Sequence, residues 1–402
     1  MSGPLDGIRV LEVAMWGFVP SCGAVLADWG ADVIKIEHAV HGDPQRGLRQ
    51  TGKYKVDDDP NPYIEHPNRG KRSVGLDIAK PEGKEVLYEL ARQADVFLTS
   101  FLPEPRRRLG IDVDQIRAVH PKIIYARGSA LGPRGPESER GGYDMTAFWC
   151  RASTAASITP PNVPGLINPP APAYGDTISG TNLAGGIAAA LLKRERTGEP
   201  SIVDTSLLGS GLWAMGAAID MSLRLNTPWE APEAGSHGSL ANPLSGLYET
   251  EDGRFLSLVM LQPTRYWAEF CRHIDKPELI DDPRFATGAD LSANTAEAVE
   301  LIRTAIASRT LAEWTERFAT LSGPWAPVQD SLQAAADAQV RANEYVLRVG
   351  ESELIANPVQ FDVRAPALDP APAFAAQTEE VLLELGLDWA RIIALKEAGA
   401  VT

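Results

Sequence analysis

The sequence predicts an α/β protein: a large part built on a parallel sheet, and a smaller α+β part. Two features of the pattern point there. Short β-rich runs alternate with helical stretches from residue 8 to residue 127, and strands spaced by helices in this way pair in parallel through right-handed crossovers. From about residue 225 the alternation gives way to a hairpin pattern followed by several helices. A 402-residue chain that is 44% hydrophobic and 23% charged has enough apolar surface for more than one core.

Ile8-Arg9-Val10-Leu11-Glu12-Val13-Ala14 is the first strand run, residues 21–30 read as a helix, and Asp32 to Glu37 form a second strand. Further strands are predicted at 72–77, 95–99 and 122–127. Pro81 opens a helix at a position where its missing N–H costs nothing. Residues 38–70, 128–142 and 159–175 are rich in Gly, Pro and charged residues and read as loops, with functional loops the usual reason for such length. A helix over 177–197 ends in a basic turn before Gly198.

Leu247-Tyr248-Glu249-Thr250 and Phe255-Leu256-Ser257-Leu258-Val259 flank a Glu-Asp-Gly turn and predict a hairpin. Helices are expected over 264–273, 295–308 and 311–321, and a helix pair over 378–398. The predicted domains are 1–224, completed by 326–402, and a small α+β domain at 225–325.

With 53 acidic against 38 basic residues the net charge is −15, which disfavours nonspecific binding to nucleic acid or anionic membrane. No apolar run approaches the length of a membrane span, and no basic, then apolar, leader pattern opens the chain. Cys22, Cys150 and Cys271 are distant and odd in number, so neither a disulfide framework nor a thiolate zinc site is expected. A cytoplasmic enzyme is the expectation.

Strand, helix and a second strand ending in Glu37 outline a Rossmann unit, yet Met15-Trp16-Gly17-Phe18-Val19-Pro20 lacks the glycine-rich turn that approaches a pyrophosphate. Nicotinamide binding is therefore not expected. His38, His41 and Asp43 lie close in sequence without further ligands at fixed spacing, and no metal is expected. Two basic groups, Arg69/Lys71/Arg72 and Arg106/Arg107/Arg108, fall near strand ends and suit a phosphate-bearing ligand. Asp176 ends the proline-rich loop and begins the long helix. Two readings stand for it: an N-cap accepting from Ile178 or Ser179, or a carboxylate nucleophile kept ionised by the helix N-terminus.

Pro4 to Glu12, Leu26 to Glu37, Gly70 to Asp77, Lys80-Pro81-Glu82-Gly83, Gly175-Asp176, Val203 to Leu208, Tyr248 to Phe255 and Asp281-Asp282-Pro283-Arg284-Phe285 together resemble the class III (CaiB/BaiF-type) coenzyme A transferases along nearly the whole chain. The resemblance implies a Rossmann-like large domain, a small α+β domain and an interlocked homodimer. It implies transfer of coenzyme A from an acyl-CoA thioester to a carboxylic acid through a covalent intermediate on Asp176, with no permanently bound cofactor. It places CoA contacts at Trp16, Gly17, Phe18, His38, Leu76, Asp77, Ile78, Ser100, Phe101, Leu102, Arg108 and Tyr143. His38 stands where arginine is frequent and Ser100 where asparagine is frequent. Donors for the tetrahedral oxyanions are expected from the glycine-rich segment 235–238. Acyl-CoA racemases share the superfamily, but Tyr143 occupies the position of their histidine base, and a phenol of pKa near 10 is a poor base at neutral pH. A non-catalytic CoA-ester-binding subunit is the remaining alternative, and the intact Asp176 stands against it.

Overall fold

The computed structural model describes residues 3–57, 59–236 and 241–402. Six strands, β1 (Arg9–Val13), β2 (Asp32–Glu37), β3 (Lys71–Gly75), β4 (Val96–Thr99), β5 (Ile124–Ser129) and β6 (Ile202–Ser206), form one sheet in the order β3-β2-β1-β4-β5-β6. Every pairing is parallel, with Val10 opposite both Val33 and Val96. This order runs outward in both directions from β1 and β4, the arrangement of a doubly wound Rossmann-like sheet.

Successive residues along β1 serve opposite faces, as the period of a strand requires. Val10 packs with Val33, Val96 and Ile124 against helix α1 (Phe18–Asp28) and against Leu183, Ile187 and Leu191 of the long helix Tyr174–Thr197. Leu11 and Val13 pack on the other face with Ile34, Val74 and Phe97. That face is covered by α2 (Pro81–Arg92) and by Val381, Leu382, Ile392 and Leu395 of the C-terminal helices Thr378–Glu384 and Trp389–Glu397. Both faces of the sheet are thus dry, the usual condition for parallel strands. The long helix, α3, crosses α1 closely because Gly180 has no side chain: a Cβ there would lie 2.7 Å from Ser21 Cβ and 2.9 Å from the Phe18 carbonyl oxygen.

The described chain divides into two compact units, 1–158 with 166–229 and 338–402, and 159–165 with 230–337. The second unit is built on an antiparallel sheet of Ser245–Glu249, Phe255–Val259 and Trp325–Pro327 with Phe255–Val259 in the middle. Leu256, Leu258, Trp267, Phe270, Ile302 and Trp314 form its core.

Four elements differ from expectation. Residues 62–68, expected to be loop, form a helix that starts at Pro62 with Asn61 as its cap. Strand β6 and the hairpin Val346–Val349/Ser352–Ile355 were not expected; β6 is an edge strand whose Asp204, Thr205 and Ser206 break the apolar signature. The long helix begins at Tyr174, three residues before the expected start, after Ala173 in a left-handed conformation (φ 56°).

Candidate active site

The strand order reverses between β1 and β4, and ligands of such sheets bind beyond the carboxyl ends of the strands at that switch point. Ala14-Met15-Trp16 leaves β1 there and Ser100-Phe101-Leu102 leaves β4. The Met15 N–H donates to Ser100 Oγ at 3.1 Å, tying the two loops together. A cavity of about 900 Å³ opens at this point, lined by Trp16, Phe18, Ser100, Phe101, Leu102, Arg108, Tyr143 and Asp176. Trp16 and Tyr143 meet edge to face, their ring centroids 5.8 Å apart. A smaller cavity of about 180 Å³ is lined by His38, Leu76, Asp77 and Ile78, and Met15 and Phe101 contribute to both. Gly17, the remaining residue named from the sequence, lies directly against the Asp176 carboxylate.

Trp16 adopts φ 69°, a left-handed conformation costly for a bulky side chain. Its N–H donates to Asp43 Oδ1 at 3.3 Å. Asp43 in turn pairs with the Lys35 ammonium at 2.9 Å, and Glu12 pairs with Lys35 at 3.2 Å and with Lys71 at 2.8 Å. All four side chains are buried, where an unpaired charge would be far too costly to persist. The network holds the loop after β1 from beneath. Sequence reading missed it, and its signal was two charges, Glu12 and Lys35, standing inside otherwise apolar strand runs.

Asp176 is not the cap of α3. The cap position is Ala173, and the carboxylate that accepts from the helix N-terminus belongs to Asp144, whose Oδ2 takes the Gly175 N–H at 3.1 Å. Asp144 is buried and its Oδ1 has no hydrogen-bond partner. Asp176 therefore sits in the first turn with its side chain free to face the cavity. Burial, and then the neighbouring Asp144 charge, push its carboxyl up to about 7, opposite to the direction expected from the helix dipole alone. Desolvation is the larger of these two causes.

The two basic groups separate. Arg69 pairs with Asp28 at 2.7 Å, Lys71 with Glu12, and Arg72 with Asp32 at 2.7 Å. They stand at the amino end of β3, away from the ligand edge, and are structural. In the other group Arg106 is buried and donates to the Phe101 carbonyl, whereas Arg108 is exposed, pairs with Glu104 at 3.1 Å and lines the large cavity. His38 and His41 stack at 4.8 Å, and no cluster of three or more His, Cys, Asp or Glu suited to a metal occurs among the described residues. Gly235 belongs to the second unit, and residues 237–240 lie outside the described residues.

The model of CoA-transferase family III matches residues 5–378. The chain belongs to this family. Among relatives of the family III enzyme, (R)-2-hydroxy-4-methylpentanoate CoA-transferase from Clostridioides difficile is 30% identical over 99% of both chains. Cinnamoyl-CoA:phenyllactate CoA-transferase from Clostridium sporogenes is 28% identical, covering 95% of this chain and 93% of its own. The crystal structure of a CaiB/BaiF family protein from Brucella suis superposes with a TM-score of 0.81 at 25% identity, over 96% of this chain and all of that one. The enzyme is accordingly a CoA transferase, with CoA thioesters as substrates. No helix among its described residues is long and apolar enough to cross a membrane.

Proposed function

We propose that the enzyme transfers coenzyme A from an acyl-CoA to a carboxylic acid through covalent intermediates on Asp176. A carboxylate oxygen of Asp176 attacks the thioester carbonyl, the C–S bond breaks, and the thiolate leaves with the electron pair to give an acyl-aspartyl anhydride. The thiolate then attacks the aspartyl carbonyl, releasing the donor's acid as carboxylate and leaving an aspartyl-CoA thioester. The incoming acid repeats these two steps in reverse, ending as a new acyl-CoA with Asp176 regenerated. No net proton is needed. The observation that carries this reading is the single cavity in which Asp176 faces the residues at the switch point between β1 and β4.

CoA is assigned to the two adjoining cavities. Trp16, Gly17, Phe18, Ser100, Phe101, Leu102, Arg108 and Tyr143 attend the pantetheine and thioester, and His38, Leu76, Asp77 and Ile78 the nucleotide end; Arg108 offers a guanidinium to phosphate. Phe18, Leu102, Leu131 and Leu207 give the large cavity an apolar wall. With 2-hydroxy-4-methylpentanoate and phenyllactate named for two relatives, this wall supports a monocarboxylic acid with a bulky apolar side chain as acceptor.

The active form is read as an interlocked homodimer. Helix Gly216–Leu225 has no buried residue in the single chain, and Trp213, Leu223 and Leu225 are exposed, an apolar face that a second subunit would cover. All three cysteines are free, which suits a cytoplasmic setting. Mass spectrometry of CoA exchange across a panel of acyl-CoA donors and carboxylic acids tests the activity; hydrolysis alone, with no transfer to any acid, would remove it.

A further inference from the structure

Two cations in the large cavity have no part in the assignment above. Arg140 and Arg151 both line it. Arg151 ends a π-helix, Met145–Arg151. Bonding from i to i+5 stacks residues five apart on one face, so Thr146 and Arg151 look into the cavity together. In an α-helix the same two residues would diverge by about 140°. The wider winding is what delivers the guanidinium.

Glu137 bridges the pair. Its Oε1 accepts from Arg140 Nη1 at 2.7 Å and its Oε2 pairs with Arg151 Nη2. A carboxylate thus already rests between two guanidiniums, and all three side chains remain reachable, at 71% exposed for Arg140, 47% for Arg151 and 32% for Glu137. Two positive charges against one leave this wall net cationic in a chain of −15.

We propose that Arg140 and Arg151 form the subsite for the carboxylate of the acid substrate, and that Glu137 holds the place of that carboxylate in the empty enzyme. The proposal rests on the CoA-transfer reading and deepens it. Guanidinium forks match carboxylates bidentately and order them as well as attract them. The acyl end of a monocarboxylic acyl-CoA offers no such anion, so with such a donor the subsite discriminates the second substrate from the first. Holding the incoming carboxylate in the cavity that Asp176 also lines favours its meeting with the aspartyl thioester, and the gain is in positioning.

The test measures exchange kinetics with cinnamoyl-CoA and a panel of monocarboxylic and 2-hydroxy acids, using the acid that the unaltered enzyme converts fastest. Arg151→Gln is expected to raise the KM for the acid by about 10- to 100-fold, the range for losing a charged hydrogen-bond partner. The KM for the CoA donor and the formation of the Asp176 adduct from acyl-CoA alone should stay within about twofold. Arg151→Lys, which keeps the charge but loses the fork, should fall between. Glu137→Gln should lower the KM for the acid by freeing both guanidiniums. An unchanged acid KM in Arg151→Gln and Arg140→Gln overturns the proposal, as does a donor KM that rises equally, which would give the arginines to the CoA phosphates. Absence of any Asp176 adduct in the unaltered enzyme would instead defeat the parent reading, so the two failures are distinct.

Discussion

The Asp176 carboxylate lies against Gly17 so closely that a Cβ at residue 17 would come within 2.5 Å of Asp176 Oδ2 and 3.2 Å of its Cγ. Gly17 is at φ −85°, an ordinary backbone conformation, so glycine serves here for space alone. The close crossing of α1 and α3 at Gly180 sets this contact, and through it the position of the nucleophile.

Gly17→Ala should therefore push the Asp176 carboxylate aside while the helices remain. A displacement of about 1 Å at a reacting group costs on the order of 100-fold in rate. Steady-state exchange should show that loss in kcat, with circular dichroism unchanged. Exchange at the unaltered rate would mean that the carboxylate has room to move.

The elevated carboxyl of Asp176 makes a pH prediction with a definite sign. Only the ionised form attacks, so kcat/KM should rise with pH and level off above about 7. In Asp144→Asn the amide still accepts the Gly175 N–H but the neighbouring negative charge is gone. The rising limb should then move to lower pH. A pH–rate profile for both enzymes decides this; a limb that stays in place removes Asp144 as a cause.

The same shift enters stability. The folded state holds a proton on Asp176 that the unfolded chain releases at its ordinary value of 3.8, so the cost of ionising it in place is absent below that pH and complete above about 7. Asp176→Asn abolishes the cost and loses no helix cap. It should stabilise the fold by about 2 kcal/mol at pH 8, allowing for partial exposure, and by little at pH 4. Denaturant unfolding at both pH values checks it, and a variant less stable than the parent at pH 8 would contradict it.

Asp43 anchors the strained Trp16 turn. Asp43→Ala leaves Lys35 short of one carboxylate and the Trp16 N–H without its acceptor. Because the change leaves a buried charge partly unpaired, a loss of about 3 kcal/mol is expected, together with a raised KM for the CoA donor. Thermal melts and donor titrations would expose either a silent substitution or a purely catalytic one.

Much of this was legible beforehand. Apolar runs such as Val10-Leu11 and Val33-Ile34 marked the central strands because both faces of a parallel sheet are buried, and the motifs around Asp32 and Asp77 carried the family. The cap reading of Asp176 failed for a physical reason. Which carboxylate meets a helix N-terminus is decided by a residue 31 positions away in sequence, Asp144 at Gly175, and local spacing holds no record of it. The Arg69/Lys71/Arg72 group misled for a similar reason, since its partners Asp28, Glu12 and Asp32 come from other elements. Arg151 went unnoticed because only a π-turn brings it round to the cavity.

The aspartyl intermediate is tested most directly by peptide mass spectrometry after incubating the enzyme with acyl-CoA and quenching with hydroxylamine. A modification confined to Asp176 is expected, with Asp176→Asn folded, able to bind CoA, unmodified and slower in exchange by several orders of magnitude. Substantial exchange by Asp176→Asn, with no modification of Asp176 in the unaltered enzyme, would contradict covalent catalysis at this residue.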